Sequence, residues 1–217
     1  MQKSLKAPIK ELIFIQAAEI ELEGLLEVPP NPIGLVLFAH GSGSSRHSRR
    51  NNYVASLLKK AKIATLLFDL LTDREEADRT NVFDIELLSK RLINATDYVK
   101  KDSRVSKLPF GYFGASTGAA AALNASTKNE YIKAIVSRGG RPDLAEGSLS
   151  LVKAPTLLIV GGNDFGVIEL NERAYNQLAC EKELTIVHGA THLFEEPGKL
   201  EEVAKLARNW FVKYLKG

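Results

Sequence analysis

Apolar residues along this chain fall into two rhythms, and the two take turns. In "AEIELEGLLEV" (18–28) apolar and polar positions alternate singly, the period of a strand with one face in the core. Residues 11–27 are therefore predicted to form two strands of a hairpin or meander, with Gly24 as a candidate bulge. After the punctuation of "VPPNP" (28–32), "IGLVLFAH" (33–40) is apolar throughout, the pattern of a strand covered on both faces. Comparable runs recur at "IATLLFDL" (63–70), "LPFGYFG" (108–114), "YIKAIVSRGG" (131–140), "APTLLIVGG" (154–162) and "ELTIVHG" (183–189). Between them apolar residues recur at helical spacing, predicting helices near 50–62, 82–101, 117–127, 166–179 and 198–215.

Strands alternating with helices imply parallel pairing and helices on both faces of one sheet, an α/β fold. No internal repeat, low-complexity tract or linker breaks the series, so residues 1–217 are read as one domain. Only about fifteen residues (139–154) separate two of the central strands, enough for a turn or short helix but not a lid.

Composition adds boundaries to this picture. The 217 residues are 45% hydrophobic and 25% charged, with 29 basic against 26 acidic side chains and a net charge of +3. So slight an excess gives no expectation of nucleic-acid binding, and the basic stretch 44–52 lacks the interleaved aromatics of a single-strand binder. No apolar run approaches the roughly 18 residues of a membrane span, and "MQKSLKAPIKELIF" lacks the core of a signal peptide. With Cys180 the only cysteine, a reducing, cytoplasmic setting is expected.

Chemistry is concentrated in "GYFGASTGAAAALN" (111–124), where a strand passes into a helix at Ser116. Gly114 and Gly118 flank the serine in a Gly-x-Ser-x-Gly elbow, a turn only small neighbours fit, which lifts the hydroxyl out of the sheet. A serine could simply cap the helix. As a nucleophile it needs a base, usually histidine, and a carboxylate to orient that base. In an elbow protein both follow the serine in chain order. Of four histidines only His188 and His192 do so, and His192, in the loop "GATHLFEEPG", is the better placed. Asp164 follows a strand directly in "LLIVGGNDFG"; it could instead cap a helix, and Asp143 and Glu169 are weaker alternatives. Oxyanion donors are expected from the backbone N–H of Thr117 and from Ser42 or Gly43 in "HGSGSS" (40–45). His40 is read as supporting that loop, and Asp69 as structural. Arg46 and Arg138 stand near strand ends and are candidates for binding an anionic part of a substrate.

"HGSGSS", "GASTG", "GGNDFGV" and "GATHLF", in this order and setting, resemble the α/β-hydrolases, and within them the dienelactone-hydrolase-like group. The resemblance covers about residues 20–215. It implies a mostly parallel eight-stranded sheet and a triad of Ser116, Asp164 and His192. Dienelactone hydrolases proper use a cysteine nucleophile where this chain has serine, which points away from dienelactone itself. The expected function is a serine hydrolase cleaving a small soluble ester or related acyl bond through an acyl-enzyme, with no cofactor or metal, no nucleic-acid or membrane partner, and a monomer or homodimer as assembly. A silent binding protein on the same fold, or a peptidase, thioesterase or lactonase with the same triad, are the alternatives.

Overall fold

The computed structural model describes residues 7–216. Residues 1–6, part of the stretch read above for a leader, lie outside them. Eight strands form a single sheet: β1 (Ile9–Ala17), β2 (Ile20–Val28), β3 (Gly34–Ala39), β4 (Ile63–Phe68), β5 (Phe110–Ala115), β6 (Ile132–Arg138), β7 (Thr156–Gly161) and β8 (Lys182–Val187). Their spatial order is β1-β2-β4-β3-β5-β6-β7-β8. Strands β3 to β8 pair in parallel, whereas β1 pairs with β2, and β2 with β4, antiparallel. The expected bulge at Gly24 is absent. Its register runs unbroken opposite Ile13 and Phe68. What requires glycine there is packing, since a β-carbon would come within 3.0 Å of the Leu66 and Phe68 side chains.

The continuous apolar runs are explained by burial on both faces. In β3, Leu35 and Leu37 point into one core layer and Val36 and Phe38 into the other. Helices α1 (Arg49–Lys60) and α7 (Lys199–Leu215) cover the Val36 side, placing Val54, Leu58, Ala207 and Trp210 against it. The opposite layer is built largely from α3 (Ile85–Lys101) and α4 (Thr117–Ser126), with Ala174 of α6 (Phe165–Gln177). The alanine run of α4 is buried along its length, so small side chains let that helix lie close on the sheet. In this layer Tyr112, fully buried, shares a 2.7 Å hydrogen bond with Thr96; burial pushes its phenol well above the usual range.

Two short pieces escaped the periodicity. Helix α2 (Asp73–Glu76) is one turn held by a capping box between Thr72 and Glu75, and a 3-10 turn follows at 81–83. Between β6 and β7 lie only a 3-10 turn at 142–145 and α5 (Glu146–Leu149), so no lid stands over the carboxyl ends of the strands there. No helix among the described residues is long and apolar enough to cross a membrane.

Candidate active site

At the end of β5 the chain turns sharply. Ser116 holds φ 51° and ψ −121°, a conformation that a side-chain-bearing residue keeps only where its surroundings impose it. Here its N–H donates to the Arg138 carbonyl at 3.3 Å, and its own carbonyl accepts from Ala119 and Arg141 at 3.1 Å. The flanking glycines permit the approach of backbone to backbone. A β-carbon on Gly118 would sit 2.5 Å from the His40 carbonyl oxygen, and one on Gly114 2.7 Å from the Ala119 nitrogen. Ser116 occupies the N-cap position of α4, yet its side chain makes no cap bond. The hydroxyl is left partly exposed at the helix N-terminus, where unpaired N–H groups favour negative charge.

Asp164 stands at the corresponding place after β7. It too is an N-cap residue, of α6, whose side chain does not cap. Instead its Oδ2 accepts from His192 Nδ1 at 2.6 Å. With Nδ1–H committed to the carboxylate, Nε2 keeps its lone pair and can accept a proton. The two loops are tied by backbone: Gly162 N–H donates to Val187 and Asn163 N–H to Ala190, each at 2.9 Å. The histidine loop is anchored by fully buried Phe194, by Thr191 donating its N–H and hydroxyl to Glu196 (3.0 and 2.6 Å), and by Arg50 on α1 pairing with Glu195 at 2.9 Å. Nothing in the local sequence advertises these anchors, because each joins residues without a helical or strand spacing.

Ser116 and the Asp164–His192 pair share the edge where β5, β6 and β7 end. Between them runs Gly139, directly after the residue that accepts from Ser116; a β-carbon there would meet the His192 ring at 3.5 Å. Among the described residues no hydrogen bond joins Ser116 Oγ to the ring, whose one side-chain bond is to Asp164. The His192 side chain is 37% exposed and that of Asp164 16%, so the site is shallow and open on the imidazole side. His188 is exposed, Asp143 is bound by Arg141 (2.7 and 2.9 Å), and Glu169 faces Arg173 on the surface of α6.

The loop after β3 packs against Ser116: a β-carbon on Gly41 would lie 2.9 Å from Ser116 Cβ. His40 is buried and holds this loop to the end of β4. Its Nδ1–H donates to the Gly41 carbonyl (2.9 Å) and its Nε2 accepts the Leu70 N–H (3.0 Å), while burial lowers its pKa below the ordinary value. The Ser42 N–H, expected to face the oxyanion, donates to Thr117 Oγ1 at 3.1 Å. Gly43 is exposed, with φ 64° and open space where a side chain would be. A void of about 10 Å³, with room for about one water molecule, lies beside this loop, lined by His40, Gly41, Ser42, Thr117, Leu70 and Leu71 among others. A wider hollow of about 350 Å³, lined by Ser126, Asn129, Lys133, Leu151 and Lys153, is at the far end of β6, away from Ser116.

The two arginines have other duties than the anion capture expected of them. Arg46 is enclosed by the carboxylates of Asp69 and Glu23, so its charge is already met. Arg138 is 5% exposed and turned toward α1, where its guanidinium donates to Asn51 Oδ1 at 3.3 Å. Burial, with Arg50 nearby, pushes its pKa down to about 10. Neither side chain presents a free fork to the serine.

This layout of sheet, elbow and loops has known counterparts. Residues 55–216 match the family model described as the dienelactone hydrolase family. The chain belongs to the dienelactone hydrolase family. It is 52% identical to a dienelactone hydrolase from Anabaena variabilis, covering 95% of this chain and 98% of that one with a TM-score of 0.93. Est1E from Butyrivibrio proteoclasticus shares the fold (TM-score 0.81, 18% identity, 93% and 98% of the two chains). Two Mycobacterium tuberculosis proteins, provisionally named phosphoribosyl transferases, are 58% identical over 208 residues, which are 95% of this chain and 47% of theirs. The chain thus spans about half the length of the curated relatives it matches. This member of the dienelactone hydrolase family carries serine at the elbow.

Proposed function

We propose that this chain hydrolyses small soluble esters or related acyl compounds through Ser116, His192 and Asp164. The observation that carries the reading is the 2.6 Å bond from His192 Nδ1 to Asp164 Oδ2, made at the same sheet edge as a serine held at φ 51°. His192 Nε2 takes the Ser116 proton as Oγ bonds to the substrate's carbonyl carbon and the π pair moves onto oxygen. Asp164 fixes the tautomer and stabilises the imidazolium. Collapse of the tetrahedral adduct breaks the bond to the leaving group, which takes the proton from Nε2. Water then gives its proton to Nε2 and attacks the acyl-enzyme, releasing the acid and restoring Ser116. The absence of any lid between β6 and β7 favours compact substrates over lipid aggregates. A reducing compartment suits the single thiol of Cys180, which is half-buried.

The test is covalent labelling by a fluorophosphonate probe, followed by a panel of short p-nitrophenyl esters, thioesters and lactones. Native chain labels and turns over. Ser116→Ala does neither, its kcat falling by about 10⁴-fold or more, while its melting temperature does not drop. Labelling that survives in Ser116→Ala would refute the assignment, and a native chain that neither labels nor turns over would favour the silent-binder alternative.

The name borne by the Mycobacterium relatives raises a second reading, phosphoribosyl transfer. The hydrolase-family match occupies 55–216 here, and this chain spans 47% of those proteins. We assign the transferase name to the portion it does not span. Release of pyrophosphate from phosphoribosyl pyrophosphate by this chain alone would reverse that assignment.

A further inference from the structure

We propose that the side-chain hydroxyl of Thr117, and not the Ser42 backbone N–H alone, supplies the second hydrogen bond to the oxyanion. The inference rests on the hydrolase reading above and names a further catalytic group within it. Thr117 is the first residue of α4, directly after the nucleophile, and is 2% exposed. Its backbone N–H is one of the unpaired donors of a helix start. Its Oγ1 accepts the Ser42 N–H at 3.1 Å. A hydroxyl has two lone pairs and one proton. One lone pair is used by Ser42, and among the described residues nothing accepts the proton.

Two consequences follow. The Ser42 N–H is already engaged before substrate binds, so the loop after β3 does not present it freely. The Thr117 hydroxyl beside it keeps its proton, in a buried position on the residue directly after Ser116. An oxyanion forming at the elbow offers that proton a charged acceptor, to which a hydrogen bond is stronger than to a neutral one. The chain Ser42 N–H···Oγ1–H···O⁻ also polarises the hydroxyl, since a donor that is itself accepting a hydrogen bond donates more strongly. Ser42 then acts through Thr117 as a positioning residue.

The experiment compares Thr117→Val, which keeps the branched shape but loses the hydroxyl, with Thr117→Ser, which keeps the hydroxyl. Both are assayed in the full chain on whichever ester the native protein cleaves. Thr117→Val is expected to lower kcat by about 10²-fold, the loss typical of one oxyanion donor, with KM changed less than about threefold as befits a bond made only in the transition state. Thr117→Ser restores most of the lost rate. If the hydroxyl merely blocks the Ser42 N–H, Thr117→Val frees that donor and kcat is unchanged or rises, which overturns the proposal. A loss confined to KM overturns it equally. Should Thr117→Val unfold, judged by circular dichroism, Thr117→Cys replaces it, and a kcat equal to that of Thr117→Ser counts against the hydroxyl. Native chain without turnover or probe labelling would instead sink the hydrolase reading, and this inference with it.

Discussion

At the scale of single residues, position decides what chemistry a side chain is free to do. Gly139 is the sharpest case. It holds φ 52° between the strand end that anchors Ser116 and the imidazole of His192. A β-carbon there would crowd the His192 carbonyl oxygen at 3.1 Å and lie in ordinary contact with its ring at 3.5 Å. Gly139→Ala is expected to cost about 1–3 kcal/mol of stability for the left-handed backbone and, separately, to shift the His192 backbone that carries the ring and lower kcat/KM by roughly tenfold or more. Gly166→Ala in α6 is the control. Nothing lies within 4 Å of its β-position, and a helical alanine is favoured over glycine by about 0.5–1 kcal/mol. Thermal melts and ester hydrolysis on both variants separate the effects; native turnover in Gly139→Ala would show that the ring is not braced there. Residues also mark where reading the sequence stops. That Asp164 and His192 meet could be expected, because each follows a strand on neighbouring positions of the sheet. The fates of Arg46 and Arg138 could not, because what an arginine meets is set by side chains far along the chain: Glu23 and Asp69 for one, Asn51 for the other.

At the scale of elements, the strands and long helices were legible because burial on both faces leaves runs of apolar residues, and burial on one face leaves alternation. Boundaries fell within a few residues, as with α3, expected from 82 and beginning at Ile85 after a 3-10 turn. The single turn of α2 was not legible, since four residues are too few to show a period. Nor does the sequence show that His40 fastens the end of β3 to the end of β4. That clasp has a pH signature. His40 is neutral in the fold, with both ring nitrogens committed and its pKa lowered chiefly by burial. In the unfolded chain it titrates near 6.5. Below that pH the unfolded state binds the proton more readily than the folded one, so stability rises with pH across the window. The stabilisation is complete above about pH 6.5 and is lost as pH falls toward the lowered folded value, by up to about 1.4 kcal/mol per unit. Urea midpoints at pH 7 and pH 5 should therefore differ more in the native chain than in His40→Gln. Equal differences would mean that His40 is not a source of the acid sensitivity.

At the scale of the whole molecule, one sheet separates two core layers. Each central strand serves both: Leu35 and Val36 of β3, or Leu158 and Ile159 of β7, are neighbours in sequence that pack on opposite sides. A layer cannot loosen without withdrawing support from the strands that hold the other. We therefore propose that residues 7–216 unfold as one unit, although curated relatives carry about as much chain again. Two native reporters watch the two sides. Trp210, on α7, is 7% exposed in the layer covered by α1 and α7. Cys180 packs against the other layer, and burial raises its thiol pKa, which slows its reaction with thiol reagents while the fold is intact. In a denaturant titration the loss of Trp210 fluorescence and the onset of Cys180 labelling, scored in short pulses, should share one midpoint and one slope, as a cooperative transition requires. Cys180 becoming reactive at a clearly lower denaturant concentration, with Trp210 still native, would show that the layer holding α3 and α4 opens by itself. The edge that carries Ser116 and His192 would then be uncoupled too, because Ser116 directly precedes the helix of that layer while His192 is anchored through Phe194 in the other.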